Sequence, residues 1–138
     1  MNMTPIIWYS KRQNTVGSTT FSSEMITLKV ATEMVEGLSY KLRIFGVPLD
    51  SPARMYYDNE SVVKNTTFPA SPIRKKHCSI AYHLIREAVA ASKMLIFHEN
   101  GEWNLADLLT KVLSLWKRSS LVRAILSWFG SILLSVYK

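Results

Sequence analysis

Between Ser22 and Phe45 the apolar side chains Met25, Leu28, Ala31, Val35, Leu38, Leu42 and Phe45 recur three or four positions apart. That spacing is one face of a long helix. Ser22 or Ser23 is placed to cap its start and Gly46 to end it. Before it, the β-branched and aromatic run Ile6-Ile7-Trp8-Tyr9 predicts a strand, and the polar stretch from Lys11 to Ser18 a loop. After the Pro48 to Pro52 loop, Ala53-Arg54-Met55-Tyr56-Tyr57 reads as a buried strand that ends at Asp58. Asp58-Asn59 opens a turn, and Glu60 to Asn65 forms a short helix. Pro69 and Pro72, which lack backbone donors, cut that helix off. Helical period returns from Ser79 to Ser92, with Ile80, Leu84, Ala88 and Ala91 inward, and Lys93 to His98 is short enough for a strand. Asn100-Gly101 is a turn, and Asn104 caps a helix running through Lys111.

The order strand, helix, strand, helix, helix, strand, helix predicts an α/β domain over residues 1–114, with helices packed on a sheet. Residues 115–138 form a separate apolar tail. Arg123 is its only charge between Arg118 and Lys138, and Gly130 and several serines interrupt the stripe. An amphipathic terminal helix is expected there in preference to a membrane anchor, which needs about 20 apolar residues.

Composition adds a partner class. Seventeen Lys and Arg against ten Asp and Glu give a net charge of +7. That excess attracts polyanions, nucleic acid first and a membrane surface second, although a basic balance also serves solubility. Cys78 is the only cysteine, so no intrachain disulfide forms. Together with the lack of a secretory pattern over Met1 to Ser10, this points to an intracellular setting, cytoplasm or nucleus. No His or Cys spacing suits zinc.

Candidate chemistry rests on isolated carboxylates at the ends of elements. Asp58 stands where the chain leaves a strand, the end at which open α/β folds place ligands. Asp107 and Glu24 fall near the starts of helices. Taken singly, each has an ordinary structural reading, a turn or cap for Asp58 and a first-turn acid for the other two. Taken together, three acids on separate elements are what a hard cation such as Mg²⁺ requires. Two such ions about 4 Å apart activate a water and stabilise the leaving oxygen of a phosphodiester.

The residues around these acids resemble the ribonuclease H domain at the end of copia-type retrotransposon polyproteins. The resemblance is carried, in order, by Trp8-Tyr9-Ser10-Lys11-Arg12-Gln13, Ser18 to Glu24, Tyr57-Asp58-Asn59-Glu60-Ser61, Lys75-Lys76-His77, His83-Leu84-Ile85-Arg86-Glu87 and Ala106-Asp107-Leu108-Leu109-Thr110-Lys111. It covers roughly residues 5 to 128. It implies a ribonuclease H-like mixed sheet with flanking helices, and cleavage of the RNA strand of an RNA–DNA hybrid during reverse transcription. Two Mg²⁺ ions serve the intact family. Glu24, Asp58 and Asp107 match three of its four catalytic, metal-ligating acids, and the reverse transcriptase domain of the same element is the implied protein partner. The family's first aspartate and first two strands have no counterpart, because the chain opens on Met1-Asn2-Met3-Thr4-Pro5. Since that aspartate bridges both metals, reduced activity is expected.

Lys11, Arg12, Arg74, Lys75, Lys76 and His77 are the expected nucleic-acid contacts, binding phosphate by charge without reading bases. The alternative function is a catalytically inactive remnant that holds nucleic acid through those residues. A third reading, attachment to a membrane by the C-terminal segment, stands further off.

Overall fold

Thr19, not Ser22 or Ser23, starts the first helix. Its backbone is extended and its hydroxyl oxygen accepts from the Ser22 N–H at 3.3 Å. Ser22 itself is buried in the first turn. The computed structural model describes residue 9, residues 19–71 and residues 78–126. Of the expected Ile6 to Tyr9 strand only Tyr9 is among the described residues, and the far end of the tail lies outside them. The chain divides into two compact units, Asn14–Glu99 and the combination of Met1–Gln13 with Asn100–Lys138.

In the Asn14–Glu99 unit, α1 runs over Thr20–Ile44 and stops where the sequence predicts. Gly46 takes a left-handed φ of 72°. The Gly46 and Val47 N–H groups then reach back to the Arg43 and Leu42 carbonyls, both at 3.0 Å, closing the helix end. Met25 and Leu28 are fully buried, and buried Thr32 donates its hydroxyl to the Leu28 carbonyl at 2.8 Å. The expected inward face fails beyond that point. Val35, Leu38 and Leu42 are only half-buried, and Phe45 is 80% exposed. The reason is length. At 1.5 Å per residue, the 25 residues of α1 span about 37 Å, roughly twice the reach of the 12-residue helix packed against it.

That second helix, α3 (Ser79–Ala90), is linked to α1 by the strand β1 (Ala53–Tyr57) and the helix α2 (Glu60–Thr67). The Asn59 side chain caps α2 by accepting from the Val62 N–H at 3.2 Å. Replacing it by alanine, Asn59→Ala, should lower stability by about 1 kcal/mol, read as a lower urea midpoint at unchanged slope. An unchanged midpoint would remove the cap from the account.

The face of α3 is rotated from the expected one. Ala81, Tyr82, Ile85 and Ala88 are buried, whereas Ile80 is 78% exposed and Ala91 is also exposed. Polar tethers decide between two apolar stripes one residue apart. Tyr82 donates its hydroxyl to the Ser71 carbonyl, while Arg86 donates to the Ser71 carbonyl at 3.1 Å and to the Pro69 carbonyl at 2.6 Å. An inward Ile80 would turn both tethers away from the proline-bearing segment they hold. Cys78 is buried, as a small apolar side chain would be.

After α3 the strand β2 (Met94–His98) lies parallel to β1, with Ala53 opposite Met94 and Tyr57 opposite His98. Parallel neighbours need a crossover, here supplied by α2 and α3. Alternation along the strands sorts the faces. Ala53, Met55, Tyr57, Met94 and Ile96 join the core with Met25, Leu28, Val62, Val63 and Ile85. Tyr56 and Phe97 stack on the opposite face with centroids 5.6 Å apart. The fold is thus mixed α/β, with a two-stranded parallel sheet among the described residues.

In the other unit, the helix expected from Asn104 shrinks to one turn, α4 (Asp107–Thr110). The Asn104 side chain accepts from the Ala106 N–H at 3.0 Å, so the chain makes a turn there before any helix begins. Then α5 (Leu115–Leu126) packs against α4, its start capped by the Ser114 hydroxyl, which accepts from the Lys117 N–H at 3.4 Å. Among the described residues no helix is long and apolar enough to cross a membrane.

Candidate metal centre

Glu24 sits in the second turn of α1, because the helix already begins at Thr20. A first-turn dipole role therefore does not account for it. Its carboxylate is engaged by Tyr57, the last inward-facing residue of β1, whose hydroxyl donates to Glu24 Oε2 and also lies 2.9 Å from the Glu24 carbonyl. Burial, then the Glu24 hydrogen bond and charge, then the charge of Asp58, push the Tyr57 phenol far above its ordinary value. It remains a neutral donor.

Asp58 follows directly, half-buried, at the point where β1 ends. Asn59 takes the cap of α2, so Asp58 has no capping duty, and no ion pair engages it among the described residues. Its backbone is pinned from the neighbouring strand. The Asp58 carbonyl lies 3.2 Å from His98 Nε2, and the Glu99 N–H donates to the Tyr57 carbonyl at 2.9 Å. Glu24, Asp58, Asn59, Glu60 and Ser61 line one open depression of about 300 Å³. Glu60 is already paired with Lys64 at 2.7 Å, and that ammonium holds its carboxyl below the usual range.

Two acidic residues lining one open depression suit magnesium, which is commonly held by one or two carboxylates, with water and substrate phosphate completing the shell. Among the described residues no group of three or more His, Cys, Asp or Glu is placed to hold a metal ion.

Asp107 belongs to the other unit, and its surroundings differ in kind. It is buried, with Lys111 Nζ at 2.6 Å from one oxygen and Lys117 Nζ at 3.2 Å from the other. Lys117 also donates to the Gly101 carbonyl at 3.0 Å. Burial pushes the Asp107 carboxyl up, but hydrogen bonds and charge from Lys111 and Lys117 outweigh it and the net displacement is downward. A carboxyl with a lowered folded-state pKa stabilises the fold above its ordinary value of 3.8, and that contribution is lost as pH falls through the lower folded value. Between pH 5 and pH 3 the parent chain should therefore lose more stability than Asp107→Asn, measured by urea titration at each pH. Equal losses would show that the ion pairs contribute nothing.

Lys11, Arg12, Arg74, Lys75, Lys76 and His77, the expected phosphate contacts, lie outside the described residues. Two side chains escaped the sequence reading. Tyr57 had a usable signal, since a tyrosine on the inward parity of a strand needs a partner for its hydroxyl. Lys117 had none, as no local rule couples it to Asp107 across a break in the helix.

No family model and no solved structure matches the chain. Over 110 residues, 80% of its length, it is 30% identical to the "Retrovirus-related Pol polyprotein from transposon RE2" of Arabidopsis thaliana. Over the same extent it is 31% identical to the "Retrovirus-related Pol polyprotein from transposon RE1" of that plant. The chain spans 8% of the length of each of these curated relatives. Its homologues are thus retrovirus-related Pol polyproteins of transposons, to a short segment of which it is similar.

Proposed function

We propose that the chain is a magnesium-dependent ribonuclease of the ribonuclease H type, acting on the RNA strand of RNA–DNA hybrids formed during reverse transcription. The observation that carries this reading is the meeting of Glu24 and Asp58 in one open depression, with neither acid used as a helix cap. Similarity to transposon Pol polyproteins supports the substrate class. Bound magnesium supplies water activation and charge stabilisation at the scissile phosphate. Asp58 and Glu24 contribute the anionic oxygens that hold it, and Tyr57 keeps one Glu24 oxygen engaged. Lys11, Arg12, Arg74, Lys75, Lys76 and His77 meet the phosphate backbone. Asp107 is committed to two ammonium groups within its own unit, so the proposal rests on two carboxylates and a correspondingly slow reaction.

The same ion pairs favour a second reading, a remnant that binds nucleic acid without cutting it. A hybrid labelled on its RNA strand separates the two. The nuclease reading requires RNA products in Mg²⁺ and none in chelator. Uncut hybrid, bound with an affinity that falls steeply as salt rises, would replace it with the remnant reading. Binding indifferent to salt would reject both.

A further inference from the structure

We infer that Tyr57 is a positioning residue for the metal centre: its hydroxyl fixes the Glu24 side chain in the orientation that lets Glu24 and Asp58 bind one divalent cation together. The inference rests on the proposed metal-dependent function and deepens it. Tyr57 and Asp58 are consecutive, while Glu24 lies 33 positions before Tyr57 on another element. One hydroxyl therefore ties the strand end that carries the first acid to the helix that carries the second.

A purely structural role would ask less of this hydroxyl. A half-buried phenol has one proton and needs one acceptor, for which the Glu24 carbonyl 2.9 Å away would suffice without any contact to the carboxylate. The hydroxyl also reaches Glu24 Oε2, on a long side chain with many rotamers. Restricting those rotamers before a ligand arrives removes an ordering cost from binding. Because a carboxylate oxygen has more than one acceptor direction and Glu24 has a second oxygen, the Tyr57 bond leaves oxygens for a cation. Metal-ligating carboxylates are themselves held by hydrogen-bonding partners, and losing such a partner typically weakens metal binding 10- to 100-fold.

The test is a Mg²⁺ titration of the full chain by calorimetry, beside Tyr57→Phe, Glu24→Gln and Asp58→Asn. Saturable binding by the parent, its loss in Glu24→Gln and Asp58→Asn, and an affinity about 10-fold weaker in Tyr57→Phe are expected. Parent-like affinity in Tyr57→Phe overturns the inference and leaves the metal centre standing. No binding by the parent overturns both. A second measurement needs no tyrosine variant. Mg²⁺ should perturb the parent's tyrosine ultraviolet absorption, and the perturbation should vanish in Glu24→Gln and Asp58→Asn. A parent spectrum that stays unchanged while calorimetry shows saturation also overturns the inference, even if Tyr57→Phe fails to fold.

Discussion

Asp58→Asn should slow magnesium-dependent cleavage of an RNA–DNA hybrid by on the order of 100-fold, while the melting temperature stays close to that of the parent. The substitution keeps shape and removes charge. Because Asn59 already caps α2 and no ion pair engages Asp58 among the described residues, the fold loses little when the carboxylate becomes an amide. The proposed cation site would lose one of its two anionic oxygen sources. A several-kcal/mol share of transition-state stabilisation depends on the metal staying in place. Cleavage rates at one Mg²⁺ concentration, chosen to saturate the parent, paired with thermal melts, read the two quantities separately. Cleavage by Asp58→Asn at the parent rate would remove the aspartate from the chemistry, and a collapsed melt would make it structural instead. Asn59→Ala, one position along, should show the opposite pattern, with stability lowered and the two carboxylates retained.

Ile85→Ala should destabilise the fold by about 2–5 kcal/mol, the range for deleting buried branched side chains. Ile85 is fully buried on α3 and joins the cluster that includes Met25, Leu28, Val62 and Met94. Small domains hold only about 5–15 kcal/mol in total, so one such cavity removes a large part of it. Ile80→Ala is the matched control. It deletes the same atoms five positions earlier, where the side chain is 78% exposed, and should change stability by no more than about 0.5 kcal/mol. Urea midpoints of the two variants decide which face of α3 is inward. A larger loss at Ile80 would restore the face that periodicity alone favours.

That contrast also marks what was legible in advance. The long helix could be read because its apolar spacing persists over six turns, and its stop because a left-handed residue is needed there and Gly46 supplies it. The strand Ala53–Tyr57 was read with its observed bounds, its β-branched-poor but aromatic sequence flanked by loop and turn residues. Ala88 lies inward as its spacing predicts, but Ile80 and Ala91 do not, because Ile80-Leu84 and Ala81-Ile85 are both apolar pairs at helical spacing and periodicity has no means of choosing between them. Ser71 and Pro69, distant in sequence, chose through Tyr82 and Arg86. Phe45 was misread for the opposite reason, a correct period continuing past the end of its packing partner.

At the candidate centre the same division holds. Asp58 and Glu24 could be named from their neighbours in the chain, but each had an equally good local duty until Thr19 and Asn59 were found doing the capping. Asp107 could be named too, yet its two lysine partners could not both be foreseen.

Local spacing and residue type were sufficient by themselves for the order of the helices and strands among the described residues and for the net positive charge. Those properties depend on residues a few positions apart, or on no arrangement at all. Only the tertiary structure decided that β1 and β2 run parallel, that Tyr57 holds Glu24, and that Lys117 joins Lys111 on Asp107. These are contacts between groups brought together by burying apolar surface, a force without direction. The chain's own pattern constrains such contacts only weakly until packing and hydrogen-bond geometry select one arrangement.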